Sequence, residues 1–110
     1  MARILDRKAD RSAPLRAHHT MGRCLERSDT PVANPIASRL HLALEWNGHH
    51  WSVRDLSKNG TWLGSKRLAP GETTPLARGD KLHLGSPDSP PWELIDASPP
   101  TTEVLNGTVR

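Results

Sequence analysis

Four short strings in this 110-residue chain carry side chains able to meet an anion. Gly22-Arg23 comes first and Ser38-Arg39-Leu40-His41 second. Asp55-Leu56-Ser57-Lys58-Asn59-Gly60-Thr61 is third. The last runs from Leu76 to Gly85 through Arg78-Gly79-Asp80. An arginine presents a planar fork of donors that matches phosphate oxygens, whereas a lysine is a mobile point charge. A serine hydroxyl donates and accepts, and an asparagine amide does both from separate atoms, which suits a peptide backbone. No string is specific alone: an isolated Arg23 reads as a solvated surface residue, and Ser57–Thr61 as a hairpin turn.

Other chemistries find less support. Ser38 and His41 could suggest a nucleophile pair, but no carboxylate stands in an orienting position and there is no Gly-x-Ser-x-Gly elbow. An enzyme is not expected. His18, His19 and Cys24 match no standard zinc spacing, so neither a metal nor a cofactor is expected. His49 and His50 fall in a turn and read as solvated imidazoles. The four tryptophans could stack nucleic-acid bases. Their place in strand-like segments, in a chain without Phe or Tyr, assigns them to the core instead.

The elements that must position these residues are short. Leu42–Trp46 and Trp51–Leu56 alternate as strands and flank Asn47-Gly48, a strong hairpin signal because both residues tolerate positive φ. Thr61–Leu63 follows a second Asn-Gly pair. Lys66–Leu68 is brief, Pro70-Gly71 is a turn, and Lys81–Leu84 is a strand. Ser86–Pro91 is a proline-rich connector before a last strand at Trp92–Ile95. Eight glycines and ten prolines are spread along the chain. Many short strands at close spacing imply an all-β sandwich or barrel with no long helix. Residues 1–14 read as a basic, poorly ordered leader, 15–96 as the domain, and 97–110 as a polar, flexible tail in which Thr101, Thr102 and Thr108 lie.

The formal net charge is +3. Residues 1–16 carry five basic and two acidic side chains, residues 17–85 nine and six, and residues 86–110 one and four. A mildly basic body suits an anionic ligand without naming one. The basic residues form no continuous run, so nucleic acid is an unfavoured partner. Cys24 is the chain's one cysteine, which fits a reducing compartment. No apolar run reaches signal-peptide or membrane-span length, so a cytoplasmic location is expected and no membrane partner.

In order and spacing, the four strings resemble the forkhead-associated (FHA) domain family. Its pattern is Gly-Arg, Ser-x-x-His, a strand ending in Asp, Ser-x-Asn-Gly-Thr, and Leu-x-x-Gly-Asp with a glycine after the next strand. The match runs from about Leu15 to Ile95. The resemblance implies a two-sheet antiparallel β-sandwich that binds phosphothreonine segments with loops at one end. The partner is then a protein phosphorylated by a Ser/Thr kinase, or the kinase itself. The resemblance gives Arg23, Ser38, Arg39, Lys58 and Asn59 to the phosphopeptide, and Gly22, His41, Gly60 and Thr61 to support of the site. It also implies a small pocket for the threonine methyl group. Lys58 departs from the family, where Ser or Thr is usual and its hydroxyl meets the phosphate. Two further readings are a phosphate-independent docking scaffold of the same fold and, less favoured, a nucleic-acid-binding β domain.

Overall fold

The computed structural model describes residues 1–100 and contains strands but no helix among them. In chain order the strands are β1 (Arg3–Asp6), β2 (Arg11–Pro14), β3 (His18–Gly22), β4 (Thr30–Pro31), β5 (Leu42–Trp46) and β6 (Trp51–Asp55). They continue with β7 (Thr61–Leu63), β8 (Lys66–Arg67), β9 (Thr73–Leu76), β10 (Lys81–Leu84) and β11 (Trp92–Asp96). One sheet has the order β2-β1-β11-β10-β7-β8, the other β4-β3-β5-β6-β9. Neighbours pair antiparallel except β3 with β4, which are parallel.

The alternation of apolar residues decides which face of each strand is buried. Leu42, Leu44 and Val53 from one sheet join Ile4, Leu82, Leu84 and Leu94 from the other in a continuous core. The β5–β6 hairpin is in register from Leu42↔Asp55 to Trp46↔Trp51. Its turn is closed by the Asn47 side chain, whose Oδ1 accepts from the His49 and His50 N–H groups at 2.8 Å each. This register sets Asp55 opposite Leu42, at the end of the sandwich where residues 56–60 leave the sheet.

All four sheet edges are blunted. Three edge strands contain a proline (Pro14 in β2, Pro31 in β4, Pro75 in β9), and the fourth, β8, is two exposed basic residues. A proline cannot donate to a further strand, and short or charged edges discourage pairing with another chain.

Three expectations need correction. Residues 1–14 are not a loose leader: β1 lies between β2 and β11, and Ala2 and Ile4 are fully buried. Their charges serve the edge, with Arg3 Nε donating to Ser12 Oγ and Asp6 Oδ1 capping the turn through the Lys8 and Ala9 N–H groups. The tryptophans are not all core. Trp51 is buried, Trp46 and Trp92 only flank the core, and Trp62 lies beneath the Arg67 guanidinium at 5.2 Å. Nor does the ordered chain stop at residue 96. Ala97 packs on the core, and the Ser98 carbonyl accepts from Trp51 Nε1 at 2.9 Å. Thr101, Thr102 and Thr108 lie outside the described residues.

Candidate functional site

Two loops face each other at one end of the sandwich. The first joins β4 to β5 and carries Ser38 and Arg39; the second joins β6 to β7 and carries Lys58 and Asn59. A groove of about 390 Å³ opens between them. Arg23, Ser38, Arg39, Lys58 and Asn59 all line it, although the first and last are 36 positions apart in the chain. Ser38 is half-buried, and the other four are exposed. Pro35, Ile36 and Leu56 complete an apolar rim.

Backbone bonds bring the first loop against the end of β3. Arg23 N–H donates to the Ser38 carbonyl at 3.0 Å, Cys24 N–H to that of Arg39 at 3.1 Å, and His41 N–H to that of Met21 at 2.8 Å. The approach is so close that a Cβ on Gly22 would stand 2.1 Å from the Arg39 carbonyl oxygen. Gly22 is therefore required by space. Gly60 is required by conformation, since its φ is +104°, in the left-handed region that favours glycine. Arg23 Nε donates to the Ala37 carbonyl, which fixes the guanidinium along the wall that bears Ser38.

The two loops are tied by side chains. Lys58 N–H donates to Ser38 Oγ at 3.0 Å, so that oxygen is held by one bond while its own proton is left to donate. Asn59 Nδ2 donates to the Ile36 carbonyl at 3.0 Å, which leaves its Oδ1 and second amide hydrogen available. Beneath them His41 is fully buried. Its Nδ1 accepts from Ser38 N–H at 3.0 Å, so in the neutral ring Nε2 carries the proton and donates to the Gly60 carbonyl at 2.9 Å. Burial holds the His41 pKa below its ordinary value, against the opposing pull of the Gly60 carbonyl and the Asp55 charge. A neutral His41 thus bridges the two loops.

Sequence reasoning passed over two members of this arrangement. Buried Asp55 accepts through Oδ1 from Ser57 N–H (3.1 Å), Ser57 Oγ (2.5 Å) and Thr61 Oγ1 (2.9 Å). Ser57 Oγ in turn accepts from Gly60 N–H at 2.8 Å. These bonds shape the turn that presents Lys58 and Asn59. The signal was present in the string Asp55-x-Ser57, since an aspartate often accepts from the backbone two residues on. Thr61 is fully buried and serves this turn rather than the groove.

Arg23, Arg39 and Lys58 give the groove three cations, and among the described residues no carboxylate lines it. A neighbouring groove of about 460 Å³ shares the Pro35 wall but sets Asp6 beside Lys8, so its formal charge cancels. Only the first of the two grooves is built for an anion. Among the described residues no cluster of His, Cys, Asp or Glu could hold a metal ion, and no helix is long and apolar enough to cross a membrane.

Residues 19–85 match the FHA domain family. The chain belongs to that family. FHA domains are interaction modules, and the two-sheet sandwich described above is their fold. Among curated proteins, the chain is 34% identical over 65 residues to the ABC transporter ATP-binding/permease protein Rv1747 of Mycobacterium tuberculosis, covering 58% of this chain and 7% of that protein. It is 37% identical over 62 residues to the E3 ubiquitin-protein ligase rnf8 of Danio rerio, covering 54% of this chain and 13% of that protein. The chain thus spans a small part of each curated relative. Among solved structures it resembles an FHA domain from a structural and functional analysis of phosphothreonine-dependent FHA domain interactions. The TM-score is 0.70 at 27% identity, covering 90% of this chain and 99% of that one.

Proposed function

We propose that this FHA domain binds phosphothreonine-containing segments of proteins modified by a Ser/Thr kinase, through Arg23, Ser38, Arg39, Lys58 and Asn59. The observation that carries the reading is the groove itself, with three cations, no carboxylate among the described residues and a serine hydroxyl held with its proton free. A phosphothreonine brings about −1.5 to −2 charges and three acceptor oxygens at neutral pH. The Arg23 guanidinium and the Ser38 hydroxyl supply charge-assisted donors from one wall. Asn59, on the facing loop, supplies an amide to the peptide backbone. The role proposed for this groove is binding: both nitrogens of His41 are committed to loop backbone, so the ring has no nitrogen left to serve Ser38 as a base. The likeness to a domain studied for phosphothreonine-dependent interactions supports the same reading. The free thiol of Cys24 fits the reducing, cytoplasmic location that goes with this reading.

Calorimetry on one peptide in phosphothreonine, phosphoserine and unphosphorylated forms tests the proposal. Phosphothreonine should bind most tightly, phosphoserine more weakly for want of the methyl group, and the unphosphorylated form least. Equal affinity for phosphorylated and unphosphorylated peptides would leave a phosphate-independent docking scaffold instead. Binding to DNA or RNA with steep salt dependence would favour the nucleic-acid reading.

A further inference from the structure

The two sheets present differently charged outer faces. Residues paired across an antiparallel ladder share a face, and alternate residues of a strand point to opposite faces. Leu42, Leu44 and Val53 are core, so Glu45 and Arg54 lie on the outer face of the β4-β3-β5-β6-β9 sheet, with His18 paired to Glu45. That face neutralises itself. The Glu45 carboxylate meets His18 Nδ1 at 3.2 Å and Arg54 Nη2 at 3.6 Å.

The outer face of the other sheet is left with spare positive charge. Thr61, Leu82 and Leu84 are buried, which turns Trp62, Lys81 and His83 outward. Pairing sets Arg67 opposite Trp62 and Trp62 opposite His83, a row across β8, β7 and β10. Lys81 lies two residues along β10, opposite Glu93. The Glu93 carboxylate is taken by Arg7 at 3.4 Å, and neither Arg67 nor Lys81 joins an ion pair among the described residues. Both cations are exposed. The Arg67 guanidinium is also held in place. It lies over the Trp62 ring at 5.2 Å, and Nη2 donates to the Asn59 carbonyl at 3.4 Å. A guanidinium fixed over an aromatic ring keeps its in-plane donors for a carboxylate, and Trp and Arg are the residue types that most often anchor protein interfaces. The surface beside them is open: a Cβ on exposed Gly64 would meet no atom within 4 Å.

We propose that this outer face of β8, β7 and β10 docks an extended acidic segment of a partner protein, its carboxylates met by Arg67 and Lys81 with no phosphate required. Charge decides the occupant, since two uncommitted cations stand around Trp62 and His83 while the carboxylate beside them is already paired. Spacing decides its form. Arg67 and Lys81 stand two strands apart and two residues along, about 12 Å between Cα atoms. Side chains four residues apart in an extended chain share one side at a spacing of about 13–14 Å, so Glu-x-x-x-Glu can meet both. The face is distinct from the groove between the loops and touches it only where Arg67 holds the Asn59 carbonyl.

Nuclear magnetic resonance on the full chain, labelled with nitrogen-15, tests the proposal. The probes are a ten-residue peptide of alternating Glu and Ser, its Gln-for-Glu counterpart, and a ten-nucleotide oligothymidine. The Glu peptide should shift the amides of residues 62–67 and 81–83 and the Trp62 indole N–H. The Gln peptide should bind at least about four-fold more weakly, since an exposed ion pair is worth about two- to five-fold and two are lost. Lys81→Gln removes one pair and should weaken the Glu peptide about two- to five-fold; Arg67→Gln/Lys81→Gln should weaken it about four- to twenty-five-fold. Should the Arg67 change disturb folding, Lys81→Gln alone decides, because that side chain is exposed and unpaired among the described residues. In Arg23→Ala/Lys58→Ala the shifts at 62–67 and 81–83 should persist. Shifts that vanish in this groove variant, equal affinity for the Glu and Gln peptides, or no shift at these residues each overturn the proposal. So does tighter binding of oligothymidine than of the Glu peptide at this face, which would make it a nucleic-acid surface. No probe peptide carries phosphate, so the outcome is independent of the phosphothreonine reading.

Discussion

Gly22→Ala is the sharpest test of how the groove is held. The added Cβ would stand 2.1 Å from the Arg39 carbonyl oxygen, 2.7 Å from its carbon and 2.9 Å from Leu40 Cα. All three are backbone atoms, so no side chain can swing aside. Real Cβ contacts essentially never fall under 3.0 Å, so the Arg39–Leu40 segment must retreat by about 0.9 Å. The bonds that zip this segment to β3 are Arg23 N–H to Ser38 O at 3.0 Å and Cys24 N–H to Arg39 O at 3.1 Å. A shift of that size carries at least one of them past useful length. Overpacking costs about 1–3 kcal/mol and a lost net hydrogen bond about 1 kcal/mol, so the variant should lose roughly 2–4 kcal/mol of stability. Ser38 and Arg39 move with the segment, and phosphopeptide binding should weaken by about ten-fold or more through misaligned charge-assisted bonds. Urea denaturation should show a lower midpoint with an unchanged slope, and calorimetry the weaker binding. A variant within about 0.5 kcal/mol of the parent that binds equally well would show the close approach to be dispensable, and the reasoning would fail.

Arg23→Ala should weaken phosphothreonine-peptide binding by roughly ten- to a hundred-fold while far-UV circular dichroism stays unchanged, because the lost side chain is exposed. His41→Ala removes a buried side chain and strands the Ser38 N–H; urea denaturation should show a loss of about 2–4 kcal/mol, and peptide binding should weaken as the loops separate. Stability should also depend on pH through the two buried histidines. Desolvation holds both His19 and His41 below their ordinary value of 6.5, so the unfolded chain takes up protons first as the pH falls. Stability from this source is complete above about pH 7, declines as the pH drops below the unfolded value, and levels off once the folded-state pKa values are passed. Melting temperatures measured between pH 7.5 and 5 should fall with acid, and a flat profile in the parent that matches His41→Ala would count against the neutral bridge.

Much of the site was legible because its residues occupy fixed places relative to local turns. Asn47-Gly48 and Asn59-Gly60 mark their turns through residues that tolerate positive φ, and alternation marks β5, β6 and β10 between them. Once those strands and turns are read, Ser38, Lys58 and Asn59 fall in loops and the apolar partners fall inside. The role of Asp55 was less visible, because its worth lies in three bonds that form only when the 55–61 turn closes.

What the sequence by itself determined was therefore the all-β class, the hairpins and the residues carried by the cation-bearing loops, each set by periodicity or turn chemistry over a few residues. Tertiary structure decided the rest. Residues 1–14 look solvated by composition, yet β1 is a strand because β11 offers its ladder and the core takes Ile4, a partnership across some ninety positions that no local window contains. Strand β9, with Pro75 within it, is tolerated because β6 lies on one side and no strand among the described residues pairs on the other. The tryptophans look alike in sequence, but only the packing of two sheets made Trp51 core and left Trp62 under Arg67. The groove followed the same rule. Local chemistry supplied its donors, and the approach of the Arg39–Leu40 backbone to Gly22, set by how β3 pairs with β5, brought them face to face.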